Sequence, residues 1–172
     1  MAGQTLLTCE RAAQCLQRGE VIAYPTEAVY GLGCDPMNEN AVRHILALKQ
    51  RPESAGLILI GDRFEQFAPY IDPLGADLKA RALSAWPGPV TWLVPKSKAV
   101  PGWLAGEHQT IALRIPDHPV CSALCEAFGG AIVSTSANPS GESPALSADE
   151  VEDYFGSALC GTVEGALGTG ER

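Results

Sequence analysis

The stretch HPVCSALCEAFGGAIVSTS, residues 118–136, contains the repeating unit of an α/β fold in a single run. Residues 118–128 predict a helix that Gly129 and Gly130 end, because glycine is favoured just past a helix C-terminus. Residues 131–133 follow as a short apolar run typical of a buried strand. A helix, a double-glycine stop and a buried strand in direct succession indicate a sheet covered by helices.

The same alternation continues on both sides of this stretch. The sequence predicts helices over 8–18, 38–50, 62–69, 75–85 and 147–155, and strands over 21–24, 56–61, 90–94, 110–115 and 158–163. Residues 26–35, which include Gly31 and Gly33, are predicted to form a loop. Since some predicted strands follow each other without a helix, we expect an α/β fold with a mixed sheet in a single domain, residues 1–172.

Composition and charge narrow the classes of function. The formal net charge is −8, which argues against a surface that binds nucleic acid mainly by electrostatics. The sequence has no apolar run near the roughly 20 residues that span a bilayer, and its start has no secretory pattern, so we expect no membrane association and a cytoplasmic location. None of the six cysteines lies in a Cys-x-x-Cys pair, which favours buried free thiols over a zinc site or disulfides.

Two cations stand at the end of the predicted helix over 38–50, in Lys49-Gln50-Arg51. Pro52 restricts Arg51 to extended conformations. Cations in a last helical turn commonly complement the helix dipole, and the tripeptide alone favours that interpretation. The alternative is an anion site, in which lysine supplies a point charge and arginine a planar fork for oxygens of a phosphate chain.

The buried strand over 131–133 runs into a cluster of polar residues, STSANPSG at 134–141. Side chains of this kind often bond only to their own backbone in a turn. However, ligands of α/β proteins collect beyond the carboxyl ends of strands, where this cluster lies. We therefore favour a binding role for the cluster.

Two further residues are candidates for ligand binding. Thr26 follows a predicted strand, and its hydroxyl either caps the next segment or lines a pocket beside Gly31 and Gly33. Arg114 lies in an apolar strand, where an arginine is rarely buried alone. We expect Arg114 to pair with Asp117 or with a ligand carboxylate.

Five motifs occur along the chain: YPTE at 24–27, KQRP at 49–52, WPGPVT at 86–91, LRIP at 113–116 and STSANPSG at 134–141. In this order they resemble the YrdC/TsaC family of threonylcarbamoyl-AMP synthases, in its short, single-domain bacterial type. Each motif alone is weak, but five in order are specific. The familiar phosphate loop, dinucleotide-binding, serine-hydrolase and zinc-peptidase motifs are absent from the sequence.

The resemblance implies a fold and a reaction. The implied fold is a YrdC-like twisted open mixed sheet with flanking helices and a concave ligand-binding face. The implied enzyme is a nucleotidyltransferase that joins L-threonine, bicarbonate or CO₂ and ATP, with Mg²⁺ bound to the ATP, into L-threonylcarbamoyladenylate and pyrophosphate. That product feeds the threonylcarbamoyl modification of adenosine next to the anticodon, so tRNA and the downstream threonylcarbamoyl-transfer proteins are implied partners.

The resemblance also implies roles for individual residues. Lys49 and Arg51 would act catalytically on phosphate and carbamate oxygens, and together with Ser136 and Asn138 would bind ATP. Thr26 and Arg114 would bind threonine, and no protein metal site is implied. The family usually continues into a further segment with a Pro-Ser-x-Ile-like motif, which is missing here, so we expect the region after about residue 163 to be shortened or flexible.

One alternative from another class remains open at this point. An RNA- or tRNA-binding module without catalytic activity would recognise shape through a local basic patch inside the concave face. Pyrophosphate release that depends on L-threonine would favour the synthase, whereas a salt-dependent affinity for tRNA would favour the RNA-binding module.

Overall fold

The computed structural model describes residues 5–51, 57–106 and 108–168. Its strands are β1 (Leu6–Leu7), β2 (Ile22–Pro25), β3 (Tyr30–Cys34), β4 (Ile58–Ile60), β5 (Trp92–Pro95), β6 (Thr110–Arg114), β7 (Ile132–Ser136) and β8 (Gly161–Val163). Its α-helices are α1 (Cys9–Gln17), α2 (Glu39–Lys49), α3 (Ala76–Ala85), α4 (Gly102–Ala105), α5 (Pro119–Phe128) and α6 (Ala148–Phe155). Two 3₁₀ segments cover Phe64–Tyr70 and Gly156–Ala158. Pro52 and Gly56, which entered the predictions above, lie outside the described residues.

All eight strands form one sheet in the order β1-β8-β2-β3-β7-β4-β6-β5. The pairs β1/β8, β8/β2 and β4/β6 are parallel, and the other neighbours are antiparallel. The α/β fold with a mixed sheet is therefore confirmed. The predicted strand that includes Leu59 lies inside the sheet between β6 and β7, as its uninterrupted apolar sequence indicates.

The prediction of a loop over residues 26–35 is wrong, because residues 30–34 form β3 in the middle of the sheet. The glycines there make room for the ring of Tyr24 on the neighbouring strand. A Cβ at Gly33 would lie 2.8 Å from the Tyr24 ring and 3.0 Å from the Val133 carbonyl oxygen, and a Cβ at Gly31 would lie 3.2 Å from the same ring. Close packing across strands, rather than turn formation, requires these two glycines.

The helices cover the two faces of the sheet unequally. One face packs on α2, α4 and α6 in a large core that includes Val42, Leu104 and Val151. On the other face, α1 and α5 cover the region of β2 and β8 and reach as far as Ile60 and Ile132. Beyond those two residues, the same face carries partly or fully exposed side chains, Ile58, Ala112 and Ser134, which pair in register across three strands. This uncovered stretch of sheet is where a ligand has access.

Helix ends follow the capping residues that the sequence predicts. Thr8, Asn38 and Ser147 accept hydrogen bonds at the starts of α1, α2 and α6. Gly129 ends α5 in a left-handed conformation, φ 81°. The Asn38 cap sets where α2 begins, and Gln50 ends the helix between Lys49 and Arg51.

The cysteines depart from the prediction in one pair and in Cys9, a free thiol that is only half-buried. Cys34, Cys121 and Cys125 are buried free thiols, as expected. Cys15 and Cys160 instead form a disulfide across 145 residues of sequence, with their Cα atoms 6.4 Å apart. The pairing arises because the chain returns as β8 beside β2, which brings Cys160 next to α1. Local sequence patterns contain no information about this contact.

The segment after β8 lies against the start of the 26–29 turn. Gly168 N donates to Thr26 O at 3.0 Å, and the Tyr30 hydroxyl donates to Gly165 O at 3.2 Å. The ring of buried His118 forms a 2.8 Å hydrogen bond with Ala166 O through Nε2. Residues 164–168 therefore pack beside the turn that carries Thr26, and residues 169–172 lie outside the described part of the chain.

Across the described residues, no helix combines the length and apolar character required to cross a bilayer.

Candidate functional site

The end of α2 directs Lys49 and Arg51 to different places. Gln50 adopts a left-handed conformation, φ 55° and ψ 42°, and its backbone N–H bonds to Ala47 O. Arg51 N bonds back to Leu46 O at 2.9 Å. This turn ends the helix after Lys49 and moves Arg51 off the helix axis.

Lys49 makes the contact that joins the two motifs. Its ammonium donates to Ser136 O at 2.7 Å, to Ser136 Oγ at 3.1 Å and to Asn138 Oδ1 at 2.9 Å. The Lys49 carbonyl in turn accepts from Ser140 N at 3.0 Å. The helix end and the polar cluster after β7, 87 residues apart in sequence, therefore form one structural unit.

Protein acceptors satisfy all three donors of the Lys49 ammonium, and the residue is 3% exposed. Burial, reinforced by the nearby Arg51 charge, lowers the pKa of Lys49 to about 8. With a pKa of about 8 the Lys49 ammonium is still mostly charged at neutral pH, although burial removes it from water and so destabilises the charged form.

Asn138 is also bonded to its own loop. Its Nδ2 donates to Pro139 O at 3.0 Å and to Glu142 O at 2.9 Å, and its Oδ1 accepts from Ser136 Oγ at 2.6 Å. In this structure Lys49 and Asn138 therefore shape the end of β7, and Ser136 is the member of the trio that faces open space.

A cavity of about 700 Å³ lies on the uncovered stretch of the sheet. The 26–31 segment, Arg114 and Ser134–Ser136 contribute to its wall. Three of the predicted site residues, Thr26, Arg114 and Ser136, therefore line one cavity.

A second cavity, of about 250 Å³, adjoins the first. Arg51, His108 and Thr110 line it, and it shares Ile58, Ser134 and Thr135 with the larger one. Arg51 therefore lies across a common wall from Thr26 and Arg114, while Lys49 and Asn138 line neither of these two cavities.

Asp117, one of the two partners expected for Arg114, is not the residue that pairs with it. Arg114 Nη2 forms an ion pair with the Glu27 carboxylate, and Arg114 Nε donates to Gly88 O at 2.9 Å. Glu27 is 8% exposed and lines the large cavity together with Arg114. Burial lowers the pKa of Arg114 below its ordinary value.

Three residues of this region have contacts that the sequence does not predict. Ser134 shares the face of Ser136, as strand periodicity predicts once β7 extends to Ser136. The fully buried Tyr24 donates to Ser134 Oγ at 2.6 Å, and its pKa is raised well above the ordinary value by burial. Glu27 has no local signal that marks it as the partner of Arg114, since 87 residues separate them.

The chemistry available here is anion and amino-acid recognition. The hydroxyl residues Ser134 and Thr135 line both cavities, Ser136 lines the larger one, and each cavity has one guanidinium. Hydroxyls and guanidinium groups are suitable donors to phosphate and carboxylate oxygens. A cavity of hundreds of cubic ångströms is of the size that holds a small-molecule substrate.

Comparison with known proteins decides the family. The family model for Sua5/YciO/YrdC proteins, described as "Telomere recombination", matches residues 14–171. The chain belongs to the Sua5/YciO/YrdC family.

Relatives in this family carry an enzyme's name. The chain is 53% identical over 161 residues to a threonylcarbamoyl-AMP synthase of Halorhodospira halophila, an alignment that covers 94% of this chain and 84% of the relative. It is 51% identical over 157 residues to a threonylcarbamoyl-AMP synthase of Cellvibrio japonicus, covering 91% and 83%.

Solved structures of the Sua5/YciO/YrdC family share the fold. The P. abyssi Sua5 structure complexed with L-threonine matches with a TM-score of 0.86 and 34% identity. The match covers 93% of this chain and 47% of the Sua5 chain, so this family member spans about half the length of that relative.

Proposed function

We propose that this chain is an L-threonylcarbamoyladenylate synthase, a nucleotidyltransferase that joins L-threonine, bicarbonate or CO₂ and ATP and releases pyrophosphate. The observation that carries the proposal is the wall of Ser134 and Thr135, which is shared by a cavity with Arg114, Glu27 and Ser136 and a cavity with Arg51. Close relatives named for this activity support it.

The larger cavity has the groups that an α-amino acid requires. Arg114 would bind the threonine carboxylate, since a guanidinium presents parallel donors to two oxygens. Thr26 would contact the threonine side chain; its hydroxyl donates to Val29 O at 2.5 Å and keeps its lone pairs for a ligand hydroxyl. The L-threonine bound in the related Sua5 structure supports this choice of amino acid.

ATP would lie along the common wall, with its phosphates extending toward Arg51. Ser136 Oγ, whose proton goes to Asn138 Oδ1, would accept a hydrogen bond from the nucleotide, and the Lys49 charge behind Ser136 and Asn138 would stabilise the phosphate through these two residues. Mg²⁺ enters with ATP as part of the substrate. Glu27 is the carboxylate on the described walls of the two cavities, and it is already paired with Arg114.

No protein nucleophile takes part in the proposed reaction. The threonine amine attacks CO₂ with loss of a proton, or bicarbonate with loss of water, to form a carbamate, and a carbamate oxygen attacks the α-phosphorus of ATP. The bond from the α-phosphorus to the bridging oxygen breaks, and pyrophosphate leaves with that electron pair. The protein positions two anions that repel each other and neutralises charge at phosphorus.

The adenylate product is a reactive mixed anhydride, so the reaction that uses it transfers the threonylcarbamoyl group to a nucleophile. We propose that it supplies the threonylcarbamoyl group for adenosine next to the anticodon of tRNA, through downstream transfer proteins.

Pyrophosphate release from ATP, measured with and without L-threonine and bicarbonate, tests the proposed function. We expect release to require both, and L-valine to substitute poorly, since it has the shape of threonine without the hydroxyl. Release that is independent of threonine would refute the synthase. Absence of release together with salt-dependent tRNA binding would favour the RNA-binding module instead.

A further inference from the structure

We infer that Glu27 is a positioning residue that orients Arg114 for the carboxylate of the amino-acid substrate. This inference rests on the proposed function and assigns a role to a residue that would not itself carry out chemistry. The supporting observation is a buried ion pair on the wall of the cavity. Both partners line that cavity, and the Glu27 side chain keeps 10% of its surface exposed while that of Arg114 keeps 24%.

The contacts that Arg114 makes with the described residues leave part of its guanidinium free. Nε donates to Gly88 O and Nη2 donates to Glu27. Two of five N–H donors are used in this way. Among the described residues Nη1 has no acceptor, so its donors and the second N–H of Nη2 remain for a ligand carboxylate.

The backbone around Glu27 is itself held in place. Thr26 N donates to Val29 O at 3.1 Å, and Gly168 N donates to Thr26 O at 3.0 Å. A Cβ at Gly168 would lie 3.0 Å from Glu27 Cα, so the 164–168 segment packs directly behind this residue. Glu27 is therefore a fixed anchor, and a fixed anchor can set the plane of a long, otherwise mobile side chain.

Charge gives Glu27 a second effect on the same substrate. A lone guanidinium in a partly buried cavity would attract any small anion, including the phosphates of ATP. With Glu27 beside it the pair is electrically neutral, so a phosphate gains little there. A zwitterion still gains, because its carboxylate meets Arg114 and the neutral pair does not repel its ammonium. The pair thus favours the amino acid over the nucleotide at this end of the cavity.

The test compares Glu27→Gln, which keeps shape and removes charge, with Glu20→Gln, the same change in an exposed ion pair with Arg18. We expect Glu27→Gln to raise the KM for L-threonine at least about tenfold while the KM for ATP stays within about twofold. Calorimetric affinity for L-threonine should fall in parallel, and Glu20→Gln should match the wild type. Glu27→Asp, which keeps the charge, should recover part of the loss and guards against a fold defect in the first variant.

A double-mutant cycle with Arg114→Lys separates positioning from general support. We expect Glu27→Gln to weaken threonine binding far less in the Arg114→Lys background than in the wild type. Additive effects, or equal rises in KM for threonine and ATP, would overturn the inference while leaving threonine-dependent turnover by the wild type, and hence the proposed function, intact. A wild type without that turnover and without threonine binding would overturn both.

Discussion

Lys49 carries a buried charge and a full set of hydrogen bonds. Burial destabilises the charged form, whereas the hydrogen bonds stabilise it. The ammonium satisfies three acceptors at the end of β7, yet burial lowers its pKa to about 8. The hypothesis that Lys49 touches phosphate oxygens directly is untested. In this structure its contacts are with Ser136 and Asn138, so its charge acts on the cavity from behind them.

The lowered pKa of Lys49 predicts a specific dependence of stability on pH. The unfolded chain binds this proton more tightly than the folded one, so the free energy of unfolding rises as pH increases from about 8 toward 10.5. Each unit of pKa shift corresponds to about 1.36 kcal/mol, so the free energy of unfolding rises by about 3 kcal/mol at most. Denaturant unfolding of the wild type and Lys49→Met over this range should show a difference that grows with pH. The exposed Lys98→Met should follow the wild type, and parallel curves for Lys49→Met would contradict the assignment.

Arg51 differs from Lys49 because it lines the smaller cavity, whereas Lys49 is hydrogen-bonded to Ser136 and Asn138. We predict that Arg51→Ala lowers kcat/KM for threonine-dependent pyrophosphate release by about 10²–10³, as for loss of a transition-state donor. The free energy of unfolding should change by no more than about 0.5 kcal/mol. Arg81→Ala, an exposed change on α3, is the control for both measurements. An active Arg51→Ala enzyme would remove this residue from the site.

At the scale of elements, the sequence predicted helices better than strands. Caps at Thr8, Asn38 and Ser147 are local signals, and they mark the start of three helices correctly. β3 was missed because Gly31 and Gly33 read as loop residues, although a ring from the next strand requires them. The meeting of Lys49 with Ser136 followed from two predicted element ends, whereas the pairing of Arg114 with Glu27 depends on sheet order and was not predictable.

The close approach at β3 predicts that Gly33→Ala destabilises the protein. A Cβ there would lie 2.8 Å from the Tyr24 ring and 3.0 Å from a strand carbonyl, and neither neighbour is free to move. Overpacking of this kind costs about 1–3 kcal/mol, measurable by denaturant unfolding. Gly130→Ala, where the nearest side-chain atom is 3.9 Å away, should unfold like the wild type. Equal stability of both variants would mean that the glycines serve another purpose.

At the scale of the whole molecule, one covalent link joins distant parts of the chain. The Cys15–Cys160 disulfide closes a loop of 145 residues and ties α1 to the residue before β8. Cross-links that close long loops restrict the unfolded chain and typically contribute about 2–4 kcal/mol. No local sequence pattern indicates that these two cysteines pair, so the sequence alone predicts free thiols.

We therefore predict that a reductant lowers the free energy of unfolding of air-oxidised protein by about 2–4 kcal/mol. Cys15→Ser and Cys160→Ser should each unfold like the reduced wild type and should not respond to reductant. Cys34→Ser, which changes a buried free thiol, should keep the response to reductant. Thiol counting on the unfolded, unreduced protein checks the pairing directly, and six reactive thiols would show that the link is absent.

The sheet face that α1 and α5 leave open is central to the proposed function. It places hydrogen-bond donors for an amino acid and for phosphate oxygens along one wall. The most direct test of the account incubates the protein with ATP, L-threonine and ¹³C-bicarbonate and quantifies both products by mass spectrometry at short times. We predict equal amounts of pyrophosphate and of a threonylcarbamoyladenylate that carries the label. Pyrophosphate that forms without the labelled adenylate, or in the same amount when threonine is omitted, would contradict it.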